Sequence, residues 1–307
     1  MSETPDTGSL AAEVRMLARE RDAVIFAHNY QRPEVQDVAD VVGDSLELAR
    51  RAAASDASAI VLAGVRFMAE TAKILAPEKT VLLPRLDAGC PMADMITAPQ
   101  LAYWKAEHPG VPVVMYVNSS AEVKALTDVC CTSANAVAVV RSLGAPQVLF
   151  GPDRNLGRWI GSQLPEVEMI LWDGCCPVHD AVTFERVAEA KDAHPDALVI
   201  AHPECLPEVS AAADAVLSTS QMLRFAAASD ADEFIVVTEE GLLHGLKKAA
   251  PGKRFYPLAP SMVCPNMKRT RLEDVRDALL DDARAIVVPD EVADAARASL
   301  QRMTEIG

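Results

Sequence analysis

Three cysteines that each precede a proline, Cys90-Pro91, Cys176-Pro177 and Cys264-Pro265, stand 86 and 88 residues apart along a chain of 307 residues. Thiolates are soft metal ligands, and three of them at one repeated position make an incomplete coordination shell. A structural zinc site takes four ligands and closes. Three cysteines without a fourth point to a [4Fe-4S] cluster with one iron open, or to a catalytic zinc. The chain has no C-x-x-C hairpin, and its candidate ligands come from three separate stretches, which favours one cluster per chain. An open iron is a Lewis acid able to bind and expel a hydroxyl.

The other four cysteines fall outside this frame. Cys130 and Cys131 align with Val42 and Gly43 in the first stretch and Val216 and Leu217 in the third, and read as small buried residues. Cys175 aligns with Gly89 and Val263, and Cys205 with Gln31 and Ser119. Cys175 adjoins Cys176 and stays open as the alternative ligand of the second stretch.

The same offsets run through the rest of the chain. Apolar runs end in the polar triplets His28-Asn29-Tyr30, Tyr116-Val117-Asn118 and His202-Pro203-Glu204. Helical runs then close on Asp40, Asp128 and Asp214, followed by the hydroxyl residues Ser45, Ser133 and Ser218-Thr219. A repeat of about 90 residues is large enough to form a small domain. Length alone suggests two domains; the repeat indicates three, at 1–108 (with an N-terminal helix), 109–194, and 195–307 (with a C-terminal extension). In each, short apolar runs alternate with Ala-rich helical runs, the pattern of a parallel sheet covered by helices. The expected fold is α/β: three pseudo-symmetric three-layer αβα domains in a ring about a pseudo-threefold axis, where the three cysteines would meet.

Expected strands lie at 23–27, 59–63, 80–83, 111–116, 147–150, 167–171, 197–201, 233–237 and 254–257, with one more at 285–288. Ligands gather at the carboxyl ends of parallel strands, and triplets and Cys-Pro turns both follow strands. The hydroxyls precede helical runs, so they read as N-caps whose free N–H groups form three anion sockets.

A net charge of −15, with no basic run, argues against nucleic acid as a partner. No uncharged apolar stretch of about 18 residues is present to span a membrane, and the opening MSETPDTGSL lacks the basic and apolar regions of a secretory signal. Seven cysteines, an odd number, fit reduced thiols better than a disulfide framework. A cytoplasmic location is expected.

The long ordered motifs HNYQRPEVQDVADVVGDSLELA, GVRFMAETAKIL, GCPMAD, YVNSSAEVKALTD, CTSAN, PDRNLG, WDGCCPVH, HPEC, STS and MVCPNMK resemble the quinolinate synthase family over nearly the whole chain. The resemblance implies three αβα domains about a pseudo-threefold axis and a [4Fe-4S] cluster held by Cys90, Cys176 and Cys264. It also implies a transferase reaction in NAD biosynthesis, the condensation of iminosuccinate with dihydroxyacetone phosphate to quinolinate. By motif, His28, Tyr30, Ser45, Tyr116, Asn118, Ser133, His202, Glu204, Ser218 and Thr219 line the site, with Val117 and Pro203 of the same triplets among the substrate contacts and Met267 at its border. Two carboxylates and a phosphate suit three sockets. Glu204, Tyr30, Tyr116, His28 and His202 are the acid–base candidates, Glu204 the principal base. An enzyme that oxidises aspartate is the implied functional partner, as the source of unstable iminosuccinate.

Many family members carry His-Tyr-Tyr where this chain has His28-Asn29-Tyr30, and the middle side chain of a strand end should point away from the site. Some carry a C-x-x-C pair near the last ligand; here Cys264 stands alone, so no regulatory disulfide is expected there. His179, Lys268, Glu70, Asp153, Glu239 and Glu240 read as supporting or surface residues, and His108, His194 and His244 as bystanders. Two other readings of the same residues are a three-cysteine zinc hydrolase or deaminase, and a non-enzymatic iron–sulfur sensor.

Overall fold

The computed structural model describes residues 7–306. Three four-stranded parallel sheets form its frame. The first contains β1 (Ala23–His28), β2 (Val41–Gly43), β3 (Ala59–Ala63) and β4 (Thr80–Leu82) in the order β2-β1-β3-β4. The second is built from β5 (Val113–Tyr116), β6 (Val129–Cys131), β7 (Gln147–Gly151) and β8 (Glu168–Leu171), in the order β6-β5-β7-β8. In the third, β9 (Leu198–Ala201), β10 (Ala215–Val216), β11 (Glu233–Val237) and β12 (Arg254–Pro257) run β10-β9-β11-β12. Strand β3 is buried at every position, which is why it reads as an unbroken apolar run rather than an alternating one.

Fifteen α-helices among the described residues connect and cover these strands. They are α1 (Thr7–Glu20), α2 (Pro33–Val38), α3 (Ser45–Ala53) and α4 (Arg66–Leu75) around the first sheet, while α5 (Ala98–Glu107) packs against the second through Leu101 and Trp104. Around the second lie α6 (Ala121–Lys124), α7 (Ala136–Ser142), α8 (Arg154–Gln163) and α9 (Pro177–Asp180), while α10 (Phe184–Ala193) packs against the third through Val187. The third carries α11 (Pro207–Ala212), α12 (Thr219–Ala228) and α13 (Leu242–Ala249), and the chain closes with α14 (Leu272–Leu280) and α15 (Asp290–Glu305). No described helix is long and apolar enough to cross a membrane.

Local chemistry starts and stops these helices. Pro33 and Pro207 open α2 and α11, where a missing N–H costs nothing. Asp44 caps α3, with Glu47 in its first turn and Arg50 and Arg51 in its last, as the helix dipole favours. Ser218 and Gln221 form a capping box on α12. The three repeated acids also have a structural task. Asp40, Asp128 and Asp214 accept the backbone N–H of Ile25, Val113 and Val199 at 2.8, 2.7 and 2.7 Å, tying each helix exit to the first strand of its sheet.

In each sheet the chain leaves the first strand toward one edge, then crosses back to a third strand on the other side. A crevice therefore opens at the carboxyl ends of first and third strands, where ligands of such sheets bind. One apolar core joins the three units through Phe26, Phe150 and Phe234. Helices α1 and α14 cover the far face of the first sheet with Leu10, Val14 and Val275. Helix α15 packs on β6, α6 and α4, and the Asn135 amide donates to the carbonyls of Met303 and Ile306 at 2.9 and 2.8 Å.

Two expectations need correction. The edge strands β2, β6 and β10 were not anticipated, being only three, three and two residues long and so too short to show a period. The expected strand at 285–288 is absent: Ala285 forms one isolated antiparallel bridge with Leu82, beside the bonds Leu83 N–H to Arg284 O and Ile286 N–H to Val81 O. Val287 is 79% exposed, and Pro289 then starts α15, so the run blunts the free edge of β4 without extending the sheet.

Candidate active site

Residues that follow strands of all three sheets line one cavity. Among the expected site residues, Cys90, Cys176, Cys264, His28, Tyr30, Ser45, Tyr116, Asn118, Ser133, His202, Glu204, Thr219 and Met267 line it. Val117, Pro203 and Ser218 do not. Val117 belongs to the apolar core, Pro203 is buried, and the Ser218 hydroxyl is occupied as a cap, accepting from Gln221 N–H and donating to Asp44 Oδ2 at 3.3 Å.

The cysteines occupy equivalent turns after the fourth strands. Burial pushes the Cys90 thiol up to about 12, with Cys264 adding to the effect. Burial also raises Cys176 far above its ordinary value, reinforced by Glu204 and Cys90, and it raises Cys264. Two of the turns are held by carboxylates: the Cys176 N–H donates to Asp153 Oδ2 and the Cys264 N–H to Glu239 Oε1, both at 3.1 Å. Asp153 and Glu239 stand 86 residues apart, at the same place after the third strand of their sheets. The first sheet has Val65 there. Glu239 is further paired with Lys268, whose Nζ also donates to the Tyr30 carbonyl at 2.6 Å. Cys130, Cys131 and Cys205 are buried in the core, and Cys175 is absent from the cavity lining.

Two histidines have their tautomers set by the same local bond. The Tyr30 N–H donates to His28 Nδ1 at 3.1 Å and the Glu204 N–H to His202 Nδ1 at 3.4 Å, which leaves the proton of each ring on Nε2. His202 Nε2 then donates to Ser133 Oγ at 3.2 Å. Burial lowers His28 to about 4 and His202 to about 3. Both are neutral donors at neutral pH.

Glu204, 4% exposed, accepts the Tyr116 hydroxyl at 2.7 Å on one oxygen and faces His179 Nδ1 at 2.8 Å with the other. Burial works against its charge, but His202, His179 and the hydrogen bonds from His179 and Tyr116 outweigh it and hold the carboxyl well below the usual range. Tyr116 is pushed far up by burial and by Glu204. His179, read from sequence as support, lies in the cavity wall with Nδ1 3.2 Å from Cys176 Sγ.

The hydroxyls are not the caps expected of them, apart from Ser218. Asp44 caps α3, so Ser45 is its first residue, and Asn135 precedes α7, three residues after Thr132, whose N–H donates to Asn135 Oδ1 at 2.8 Å. Asn29, expected to point away from the site, is absent from the cavity lining. It lies past the end of β1, where strand alternation no longer applies, and its amide donates to the cavity residue Thr219 at 2.8 Å. The oxygens Asn29 Oδ1 and Asn118 Oδ1 are buried without a partner.

Sequence reading missed Asp44, Val65, Phe67, Met92 and Thr132 in the wall and read Asp153 and Glu239 only as supporting or surface residues. The shared position of these two acids after β7 and β11 was the available signal.

The profile of the quinolinate synthetase A protein family matches residues 12–305. The chain belongs to this family. It is 55% identical to the quinolinate synthase of Methanoregula boonei over 298 residues, covering 97% of this chain and 98% of the relative. It is 53% identical to that of Geotalea uraniireducens and 52% identical to that of Alkaliphilus metalliredigens, each over 294 residues and 96% of this chain, and 96% and 97% of the relatives. The family's cavity here holds a donor set fit for a metal. Cys176, His179 and Glu204 place one ligand atom each within 4.8 Å of one another, and two further cysteines border the same space.

Proposed function

We propose that the chain is a quinolinate synthase that joins iminosuccinate and dihydroxyacetone phosphate into quinolinate, with release of phosphate and two waters. The observation that carries this reading is the convergence of three Cys-Pro turns and three polar triplets on one cavity. Cys90, Cys176 and Cys264 would hold a [4Fe-4S] cluster, since three soft sulfurs from three turns, with no fourth cysteine in the wall, suit a cluster with one iron lacking a protein ligand. When bound, it supplies Lewis acidity inside the cavity. The repeated strand order supports three domains, 1–108, 109–194 and 195–307, about a pseudo-threefold axis.

The side chains supply the rest. Glu204, ionised and held by Tyr116 and His179, takes protons from the condensing carbons as general base. Neutral His28 offers an Nε2–H donor that orients an oxyanion without titrating at neutral pH, and His202 uses its Nε2–H to hold the Ser133 hydroxyl. Ser45, Ser133 and Thr219 present hydroxyls, and the ends of α3 and α12 present N–H groups, to carboxylate and phosphate. The unpartnered Asn118 Oδ1 accepts from a substrate donor.

Anaerobic protein supplied with dihydroxyacetone phosphate and iminosuccinate made in place by an aspartate-oxidising enzyme should yield quinolinate, measured by chromatography. A folded, iron-loaded protein that forms none would overturn the reading. The grouping of Cys176, His179 and Glu204 favours a second one, a zinc hydrolase or deaminase. It is distinguished by a colourless protein that keeps its metal when Cys90 and Cys264 are replaced.

A further inference from the structure

The cavity wall carries the carboxylates Asp44, Glu204 and Glu239 but no lysine or arginine. Iminosuccinate, dihydroxyacetone phosphate and quinolinate are all anions, so such a wall by itself repels each of them. Lys268 answers Glu239 at 2.9 Å. A second lysine answers no acid. Lys124, at the end of α6, is 0% exposed and among the largest fully buried side chains, and among the described residues it pairs with no carboxylate. Glu70, the carboxylate that acts on it most, is already engaged by Arg66 Nε at 2.9 Å and by the Ala121 N–H at 3.2 Å. The Lys124 ammonium donates to the Ser119 carbonyl and lies over the Phe67 ring, 5.5 Å from its centroid. Phe67 and Asn118, the neighbour of Ser119, both line the cavity. The charge therefore stands directly behind the wall, where no water screens it. Burying an ammonium without a counter-charge is costly, and holding one carbonyl does not require it.

We propose that Lys124 sets the specificity of the cavity for anions: its buried ammonium, with no carboxylate of its own, is the counter-charge for the carboxylates and phosphate that enter. It acts through space from behind Phe67 and touches no ligand. Two unit charges roughly 10 Å apart at an effective dielectric of about 20 attract enough to change affinity about tenfold. The identity of the anions rests on the proposed condensation; the position of the charge does not.

The test compares Lys124→Met, which keeps the length and loses both charge and donor, with Lys124→Gln, which loses the charge and keeps an N–H donor for the Ser119 carbonyl. Removing a buried charge relieves its desolvation, so Lys124→Gln should unfold no lower than wild type and keep its iron. The probes are succinate and its uncharged diamide, succinamide, titrated calorimetrically into anaerobic, iron-loaded protein. Wild type should prefer succinate. Both variants should lose affinity for succinate by roughly tenfold and hold succinamide as wild type does, a split that a purely structural lysine would not produce. A Lys124→Gln protein that binds succinate as tightly as wild type, an equal loss of both probes, or a wild type without preference for succinate overturns the inference. Failure of the wild type to make quinolinate counts instead against the proposed reaction, because the titrations are read without turnover.

Discussion

Replacing Glu204 by Gln separates chemistry from architecture most sharply. The carboxylate is buried and holds two charge-assisted bonds, from Tyr116 at 2.7 Å and with His179 at 2.8 Å. Each such bond contributes about 1.5–3 kcal/mol. The amide keeps the shape, and its oxygen can still accept from Tyr116. Its NH₂ then faces His179, which can answer by moving its ring proton to Nε2. The net loss in stability should therefore be about 1–3 kcal/mol, the difference between charged and neutral bonds. A domain with roughly 5–15 kcal/mol to spare stays folded through such a loss. An amide cannot take up a proton at neutral pH, so kcat should fall by roughly 100- to 10,000-fold. Single-turnover quinolinate formation, normalised to iron and set beside thermal unfolding of the same variant, measures both. Near-normal turnover per iron in a destabilised protein would remove Glu204 from the mechanism and leave it a structural carboxylate.

Cys90→Ser, Cys176→Ser and Cys264→Ser should each abolish cluster binding and activity, while Cys130→Ala and Cys205→Ala keep the cluster; iron analysis that finds Cys175→Ser depleted and Cys176→Ser replete would move the ligand by one residue. Glu239→Gln should reduce iron retention and lower the unfolding temperature together, since it loosens the Cys264 N–H and leaves Lys268 without its anion, a loss of about 1–3 kcal/mol; unchanged iron release under a chelator would refute it. The unfolding free energy of the iron-free protein should fall with acid because of His28, whose pKa drops from 6.5 unfolded to about 4 folded. The unfolded chain alone binds this proton between those values, so the stability is fully present above pH 6.5 and lost toward pH 4, by up to about 3 kcal/mol. Urea titrations should show a flatter pH slope in His28→Asn than in wild type.

Much of this was legible in the chain because the repeat made three weak signals into one. A single Cys-Pro is only a turn, but Cys90, Cys176 and Cys264 at one offset, each after a fourth strand, mark one edge of three sheets. The triplets were found the same way, since they end first strands whose apolar runs are unmistakable. What the repeat could not show is where side chains from different units meet. Thr238, His179 and Tyr30 come from three units and share nothing in sequence, yet they form one hydrogen-bonded chain. The hydroxyls were misread as caps because Ser45 and Thr219 adjoin the capping residues Asp44 and Ser218, a shift of one position that propensity cannot resolve.

The central claim is that three turns hold one cluster in the cavity, and its most direct measurement is iron and acid-labile sulfide in anaerobically purified protein, read with the visible spectrum. The expected result is about four irons and four sulfides per chain, with broad absorbance near 400 nm that bleaches in air together with activity and returns on rebuilding with iron and sulfide. A colourless, air-stable, active protein containing stoichiometric zinc would contradict it.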